Sequence, residues 1–505
     1  MGSSYSVPAR EGKKATSRCG KVDAGCLPTR LSDRHTEKEN GMDESPPPYQ
    51  IEERQPTVSL HRLQDWNETL LEDPKNRLAI SSLSSASYTN VLANRPALKS
   101  DIQVFNIKVP IEGSPITNQR SSGRCWLFAS TNIFRVPIMK AYGLKDFELS
   151  QAYLFYWDKI EKANYFYETI IETADQEISS RLVQKLLQDP VTDGGQWDMV
   201  ANLVKKYGLV PHDVYPDTFN AQNSRDMNWL LTAKLREHAF ALRRLASSSQ
   251  VKERVQLAAV KEKFLKEIHS LVTIMLGPPP GPDQEFVWQY VDADGKAREI
   301  CQTPLEFGHS AFSQARAKVS PSRLCSLVND PRNEYNRLLT VDKLGNVVEG
   351  KPLTYVNVEM DVLKKAVIAM LKAGHPVFFG SDVGKFSDRV SGIMDPALLD
   401  LTLGFNVTLG MSKAERLACG ETAMTHAMVI TAAHVENDKP VRWRVENSWG
   451  EAVGEKGWFV MSDQWMDEYV FQAVVDFSLV PAEVRDVLKQ EAMVLPRWDP
   501  MGVLA

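Results

Sequence analysis

The spacing of apolar residues changes character several times along the chain, and each change marks an element. Residues 1–56 hold almost no large apolar side chains and are rich in Ser, Pro, Gly, Lys and Glu, which predicts a disordered tail. From Thr57 the pattern turns globular, with Leu60, Leu63, Trp66, Leu70 and Leu71 at helical spacing. Ile102 to Pro110 alternates as a strand does and leads to a polar turn, Asn118 to Gly123. Trp126, Leu127, Phe128, Ala129, Ile133 and Phe134 then predict a helix apolar on most faces, hence buried, starting at Cys125. Pro137 is expected to end or kink it. Ser150 is a plausible N-cap for a second buried helix through Ala152 to Trp157.

Residues 216–276 read as two amphipathic helices, stopped by Gly277-Pro278-Pro279-Pro280-Gly281-Pro282. Residues 284–355 read as short strands and loops, with a turn at Asp294-Gly295. A helix is expected at Met360 to Ala373. Strands follow at Val377 to Phe379, Ala427 to Thr431, Arg442 to Glu446, Gly457 to Met461 and Phe471 to Val475. Helices first and strands later describe an α+β chain with a sheet or half-barrel lobe at its end.

Composition adds bounds. The 505 residues are 43% hydrophobic and 24% charged, ample for a large core. A net charge of −5 gives no global attraction to nucleic acid. The Lys and Arg residues of the 216–276 helices are interleaved with Glu237, Glu253, Glu262 and Glu267, so a solvated face is the plainer reading and a basic binding face the alternative. Cys19, Cys26, Cys125, Cys301, Cys325 and Cys419 are dispersed without a CxxC pair, which points to neither a disulfide scaffold nor a metal site. No cofactor is expected, and no stretch is apolar enough to span a membrane. The tail carries Met1-Gly2-Ser3-Ser4-Tyr5-Ser6, an acylation pattern, followed by Arg10, Lys13, Lys14, Arg18 and Lys21. Weak membrane anchoring through Gly2 is one reading and a solvated tail the other. Pro46-Pro47-Pro48-Tyr49 matches a ligand for an aromatic groove.

The chemistry concentrates at Cys125. At the first turn of its helix, backbone N–H groups and the dipole favour a thiolate, although a small buried core cysteine is the rival reading. Gln119 is placed to donate an amide N–H to an oxyanion. His426 opens a strand, and Asn447 follows in Asn447-Ser448-Trp449-Gly450. An imidazole beside a sulfur holds and returns a proton, and an Asn carbonyl fixes its tautomer without adding charge. Trp449 is expected to shield that bond, and His434 is a nearby competitor for His426. In Asp193-Gly194-Gly195-Gln196, two residues without side chains allow a peptide to approach backbone to backbone.

Gln119, Cys125-Trp126, His426-Ala427 and Asn447-Ser448-Trp449-Gly450 together resemble the papain-type cysteine peptidases. The 301 residues between Cys125 and His426 exceed the roughly 130–150 of papain itself. That length, with Ser121 to Trp126, Glu148 to Tyr153, Asp193 to Gln196 and the ending Trp498-Asp499-Pro500-Met501-Gly502, is similar to the bleomycin hydrolase family from about Thr57 to Ala505. The resemblance implies a papain-like two-lobe core with a large helical insertion and a C-terminal arm. It divides the chain into a tail (1–56), a helical lobe with the nucleophile (57–215), an inserted oligomerisation region (216–353), a β-rich lobe with His and Asn (354–480) and the arm (481–505). It implies a thiol aminopeptidase with Cys125, His426 and Asn447 catalytic, Gln119 at the oxyanion, and Gly194, Gly195 and Ala505 at the substrate. Peptides with a free N-terminus, bleomycin and homocysteine thiolactone are the implied substrates. A homohexameric ring, a cytoplasmic location with a mitochondrial pool, and in some members DNA or RNA binding are implied as well. A ring-shaped nucleic-acid-binding protein with an incidental peptidase site is the alternative.

Overall fold

The computed structural model describes residues 58–248, 251–313 and 323–505. The tail, with Gly2, its basic residues and Pro46 to Tyr49, lies outside the described residues. The chain divides into two compact units, Met1–Thr69 and Leu70–Ala505. In the first, a helix begins at Leu60, and Leu60, Leu63 and Trp66 are all exposed. The Arg62 guanidinium lies 5.1 Å over the Trp66 ring.

The second unit is built on one large sheet. Its order runs Met493–Leu495, Arg337–Val341, Tyr355–Asn357, Leu324–Val328, Val470–Asp476, Val377–Ser381, His426–Glu436, Lys439–Glu446, Trp458–Ser462, Ile393–Met394 and Ser387–Asp388. The central strand His426–Glu436 is buried from His426 through Ala433, as a strand covered on both faces must be. It pairs antiparallel with Val377–Ser381, His426 opposite Ser381, and with Lys439–Glu446, Val429 opposite Glu446. This register carries His426 and Asn447 to the same end of the sheet.

The helix Cys125–Tyr142 packs on that sheet, and every residue from Cys125 to Met139 is buried. An aromatic chain joins the layers: Phe134 lies 5.6 Å from Trp197, and Trp197 lies 5.6 Å from Phe378. Pro137 does not end the helix, which continues to Tyr142 and closes at the left-handed Gly143. Burial on all sides outweighs the hydrogen bond that Pro137 removes. Ser150 caps the helix Gln151–Glu172, its hydroxyl accepting the Tyr153 N–H at 3.0 Å. The helices Arg225–Ala246 and Val251–Leu276 form as their periodicity predicts.

Two expectations differ. The alternation from Ile102 to Pro110 yields only the strand Ile107–Lys108, because Ile102 and Val104 face solvent instead of a second sheet face. A helix, Pro304–Ser313, lies in the stretch expected to be strands and loops. Short strands expected in 284–355 do form there, and Leu324–Val328 and Arg337–Val341 join the main sheet. Among the described residues no helix is long and apolar enough to cross a membrane, and no cluster of metal-ligating side chains occurs.

Candidate active site

Cys125 begins its helix without a side-chain cap, so the first-turn N–H groups are left for the sulfur. The backbone N–H groups of Ala427, Trp126 and Cys125 lie near Sγ and favour its thiolate. Ala427 follows His426, so the start of the histidine strand lies near Cys125. The expectation of a thiolate held by the helix end meets an opposing effect. Burial pushes the Cys125 thiol up to about 11, more than these three donors lower it. Burial likewise pulls His426 down to about 4, with the Asn447 hydrogen bond opposing. Burial thus favours the neutral form of both groups. A proton passed from sulfur to imidazole would give each charge its counter-ion without changing the proton count.

His426 Nε2 lies 3.0 Å from Asn447 Oδ1. The Ser448 N–H donates to the same Oδ1 at 2.8 Å, which identifies that atom as the amide oxygen. Nε2 therefore carries the hydrogen, and Nδ1 is left as the acceptor. The Trp449 ring lies 5.0 Å from the imidazole, tilted by 31°, and covers it as expected. His434 is set apart, paired with Glu436 at 2.8 Å on the same strand's far end.

Gln119 is buried and fixed. Its side-chain oxygen accepts the Ser448 hydroxyl at 2.7 Å, and its Nε2 donates to Ser122 O at 2.7 Å. One amide N–H remains for another acceptor. Its backbone N–H also bonds Ser448 O at 2.9 Å, so Gln119 and Asn447 are held through one residue.

The chain's own C-terminus occupies the glycine loop. The Gly195 N–H donates to Ala505 O at 3.0 Å, and Gln196 Nε2 donates to Val503 O at 2.9 Å. A Cβ at Gly194 would sit 2.9 Å from Ala505 O, and one at Gly195 would overlap the Trp126 ring. Only glycine admits both the tail above and the indole below. Gly194, Gly195 and Ala505 are thus together, next to the residue that follows Cys125.

The sequence did not point to the charges buried beside this loop. Lys162 donates to Gly194 O at 2.7 Å and Thr192 O at 3.0 Å and pairs with Asp158 at 2.6 Å. Burial pushes both Asp158 and Lys162 toward their neutral forms, and their mutual attraction opposes it. Lys159 pairs with Asp193 at 2.7 Å. Arg135, inside the nucleophile helix, pairs with Glu446 at 2.5 Å, the residue before Asn447. The available signal was Lys159, Lys162 and Arg135 standing within otherwise apolar helical runs.

Residues 57–502 match the model of the Peptidase C1-like family. The chain is 44% identical over 458 residues to "Cysteine proteinase 1, mitochondrial" of Saccharomyces cerevisiae, covering 89% of this chain and 93% of the relative. It is 43% identical over 452 residues to "Bleomycin hydrolase" of Homo sapiens, covering 87% and 96%. The crystal structure of PepW from Lactobacillus rhamnosis HN001 superposes with a TM-score of 0.84 at 40% identity, over 89% of this chain and 99% of that one. A papain-like α+β fold accompanies this likeness. With the match spanning nearly all of the folded chain, the protein belongs to the Peptidase C1-like family and is a cysteine peptidase of the bleomycin hydrolase type.

Proposed function

We propose that Cys125, His426 and Asn447 carry out aminopeptidase chemistry, with Ala505 selecting the free N-terminus of the substrate. As the substrate carbonyl arrives, the Cys125 S–H proton passes to His426 Nδ1 and the sulfur attacks the carbonyl carbon. The oxyanion takes the spare Gln119 N–H and the Cys125 backbone N–H. His426 then protonates the leaving amine, the C–N bond breaks, and a thioester remains. Water, deprotonated by His426, releases the first residue and restores the thiol. Asn447 keeps Nε2 protonated throughout.

The observation that carries the reading is the Ala505 carboxyl seated on the Gly195 N–H, close to Trp126 and hence to the nucleophile. An ammonium placed one residue from the scissile carbonyl meets this carboxylate, whereas an internal peptide meets the tail. Small amides and thiolactones with a free α-amine meet the same requirement. Deleting Leu504 and Ala505 is expected to lower the preference for a free over an N-acetylated aminoacyl amide by about ten- to a hundred-fold, the worth of one charged hydrogen bond. An unchanged preference removes the gate.

A six-subunit ring remains part of the proposal. The exposed Leu403, Phe405, Val407, Leu409 and Met411 favour a covered face. Sedimentation that gives a monomer at assay concentration contradicts it. A cytoplasmic location with a mitochondrial pool is proposed too, the second part supported by the yeast relative's name. The nucleic-acid alternative is not favoured, since Lys234 pairs with Glu237 and Lys261 with Glu168 on the helices that would form the basic face.

A further inference from the structure

Asp193 touches everything that separates the nucleophile from the tail. Its Oδ2 accepts the Gly123 N–H at 2.9 Å, two residues before Cys125, together with the Ser224 hydroxyl. Its Oδ1 accepts Lys159 Nζ and Asn228 Nδ2, each at 2.7 Å. Its backbone carbonyl accepts the Trp126 indole N–H at 2.6 Å, the residue after Cys125. The next two residues are Gly194 and Gly195, on which Leu504 and Ala505 rest. Gly123 approaches so closely that a Cβ there would sit 2.8 Å from the Asp193 Cβ.

A turn that only closes a loop needs no buried charge. Here burial raises the Asp193 carboxyl, but Lys159 and the donors around it outweigh that and hold it well below the usual carboxylate range. The side chain is thus an ionised strut with all its neighbours fixed. It locks the turn before Cys125, the indole after it and the glycine loop into one rigid spacing.

We infer that Asp193 is a positioning residue that sets the distance between the Cys125 sulfur and the Ala505 carboxylate, and through it the preference for free N-termini. This rests on the reading of Ala505 as the gate. A substrate's ammonium and scissile carbonyl are separated by a fixed span within one residue, so both ends fit only if sulfur and carboxylate stand at the matching distance. A misplacement of about 1 Å costs on the order of a hundred-fold in such arrangements.

The test is the ratio of kcat/KM for an aminoacyl fluorogenic amide to that for its N-acetylated form. It is measured in the full chain, the Leu504–Ala505 deletion, Ser224→Ala, and the double variant Asp193→Asn with Lys159→Met, which removes both buried charges together. The double variant is expected to lower the ratio about tenfold, mainly through a raised KM for the free amine, and Ser224→Ala about twofold. A strut of merely structural value lowers both rates together and leaves the ratio unchanged. An unchanged ratio in a double variant that melts cooperatively overturns the inference. If that variant does not fold, Ser224→Ala decides alone, since it removes one neutral donor and no charge. If the deletion leaves the ratio unchanged, the gate reading fails and takes this inference with it. If the deletion lowers the ratio and the Asp193 and Ser224 variants do not, only the role of Asp193 fails.

Discussion

The two walls of the cleft hold their polar groups in opposite ways. On the sheet side, His426 is flanked by an amide, an indole and apolar strand residues, and its lowered pKa traces to burial with only Asn447 opposing. On the helix side, two acid–base pairs, Lys159 with Asp193 and Lys162 with Asp158, are buried around the glycine loop. No charged side chain is among the causes that shift the His426 imidazole, which leaves it as a neutral base in the proposed mechanism. The proposed recognition of an ammonium would take place where Lys159 and Asp193 hold the backbone in place. Under the proposed function, a neutral wall around His426 serves catalysis and a charged wall around the glycine loop serves selection.

Breaking the neutral wall gives the largest effects. His426→Ala is expected to lower kcat by about a million-fold, as loss of the proton carrier does in other triads, with little change in melting temperature. Residual turnover above one-hundredth of the parent in a burst-free assay contradicts its role. Asn447→Ala leaves the imidazole free to turn and to take the wrong tautomer. A loss of about 10²–10⁴ in kcat is expected, in the range of general acid–base contributions. Steady-state kinetics at neutral pH checks this, and an unaltered kcat rejects the orienting bond.

Breaking the charged wall is expected to show first as stability. Lys162→Met leaves Asp158 buried without its cation, which costs about 3–5 kcal/mol in comparable pairs. The double change Lys162→Met with Asp158→Asn is expected to recover most of that in denaturant titrations. Equal losses in the single and double variants contradict the pairing. The asymmetry between walls is sharpened if Asn447→Ala, tested alongside, loses activity and retains stability.

The smallest effect is on pH dependence. Burial holds His426 at about 4 in the folded chain, below its ordinary 6.5, so the unfolded chain takes up this proton first as pH falls. The stability is full above pH 6.5 and declines toward pH 4, by about 3 kcal/mol for this one group. Unfolding free energies measured across that window are expected to show this slope in the parent and a shallower one in His426→Gln. Parallel slopes contradict it.

The neutral wall was the more legible one in the sequence. Cys125, His426 and Asn447 are chemically distinctive residue types at motif positions, and the strand periodicity around His426 and Asn447 placed them at element ends. Gly194 and Gly195 alone read as an ordinary loop, and only beside Cys125 do they gain a second meaning. The charged wall was not legible, because a lysine within a helix is ordinarily a surface residue. Only packing reveals that Lys159 and Lys162 turn inward. The strand expected from Ile102 to Pro110 failed for a related reason: alternation records a half-buried surface only where a second layer exists to cover it. Pro137 shows the converse, since full burial sustains a helix through a residue that breaks exposed ones.

The most direct measurement of the central claim is site-resolved alkylation with a thiol-specific inhibitor, reading activity and peptide masses from the same samples. Loss of aminoacyl amide hydrolysis is expected to follow, mole for mole, the appearance of one adduct on Cys125, with substrate slowing both. Full modification of Cys125 with hydrolysis intact, or complete inactivation with Cys125 unmodified, contradicts the assignment of the nucleophile.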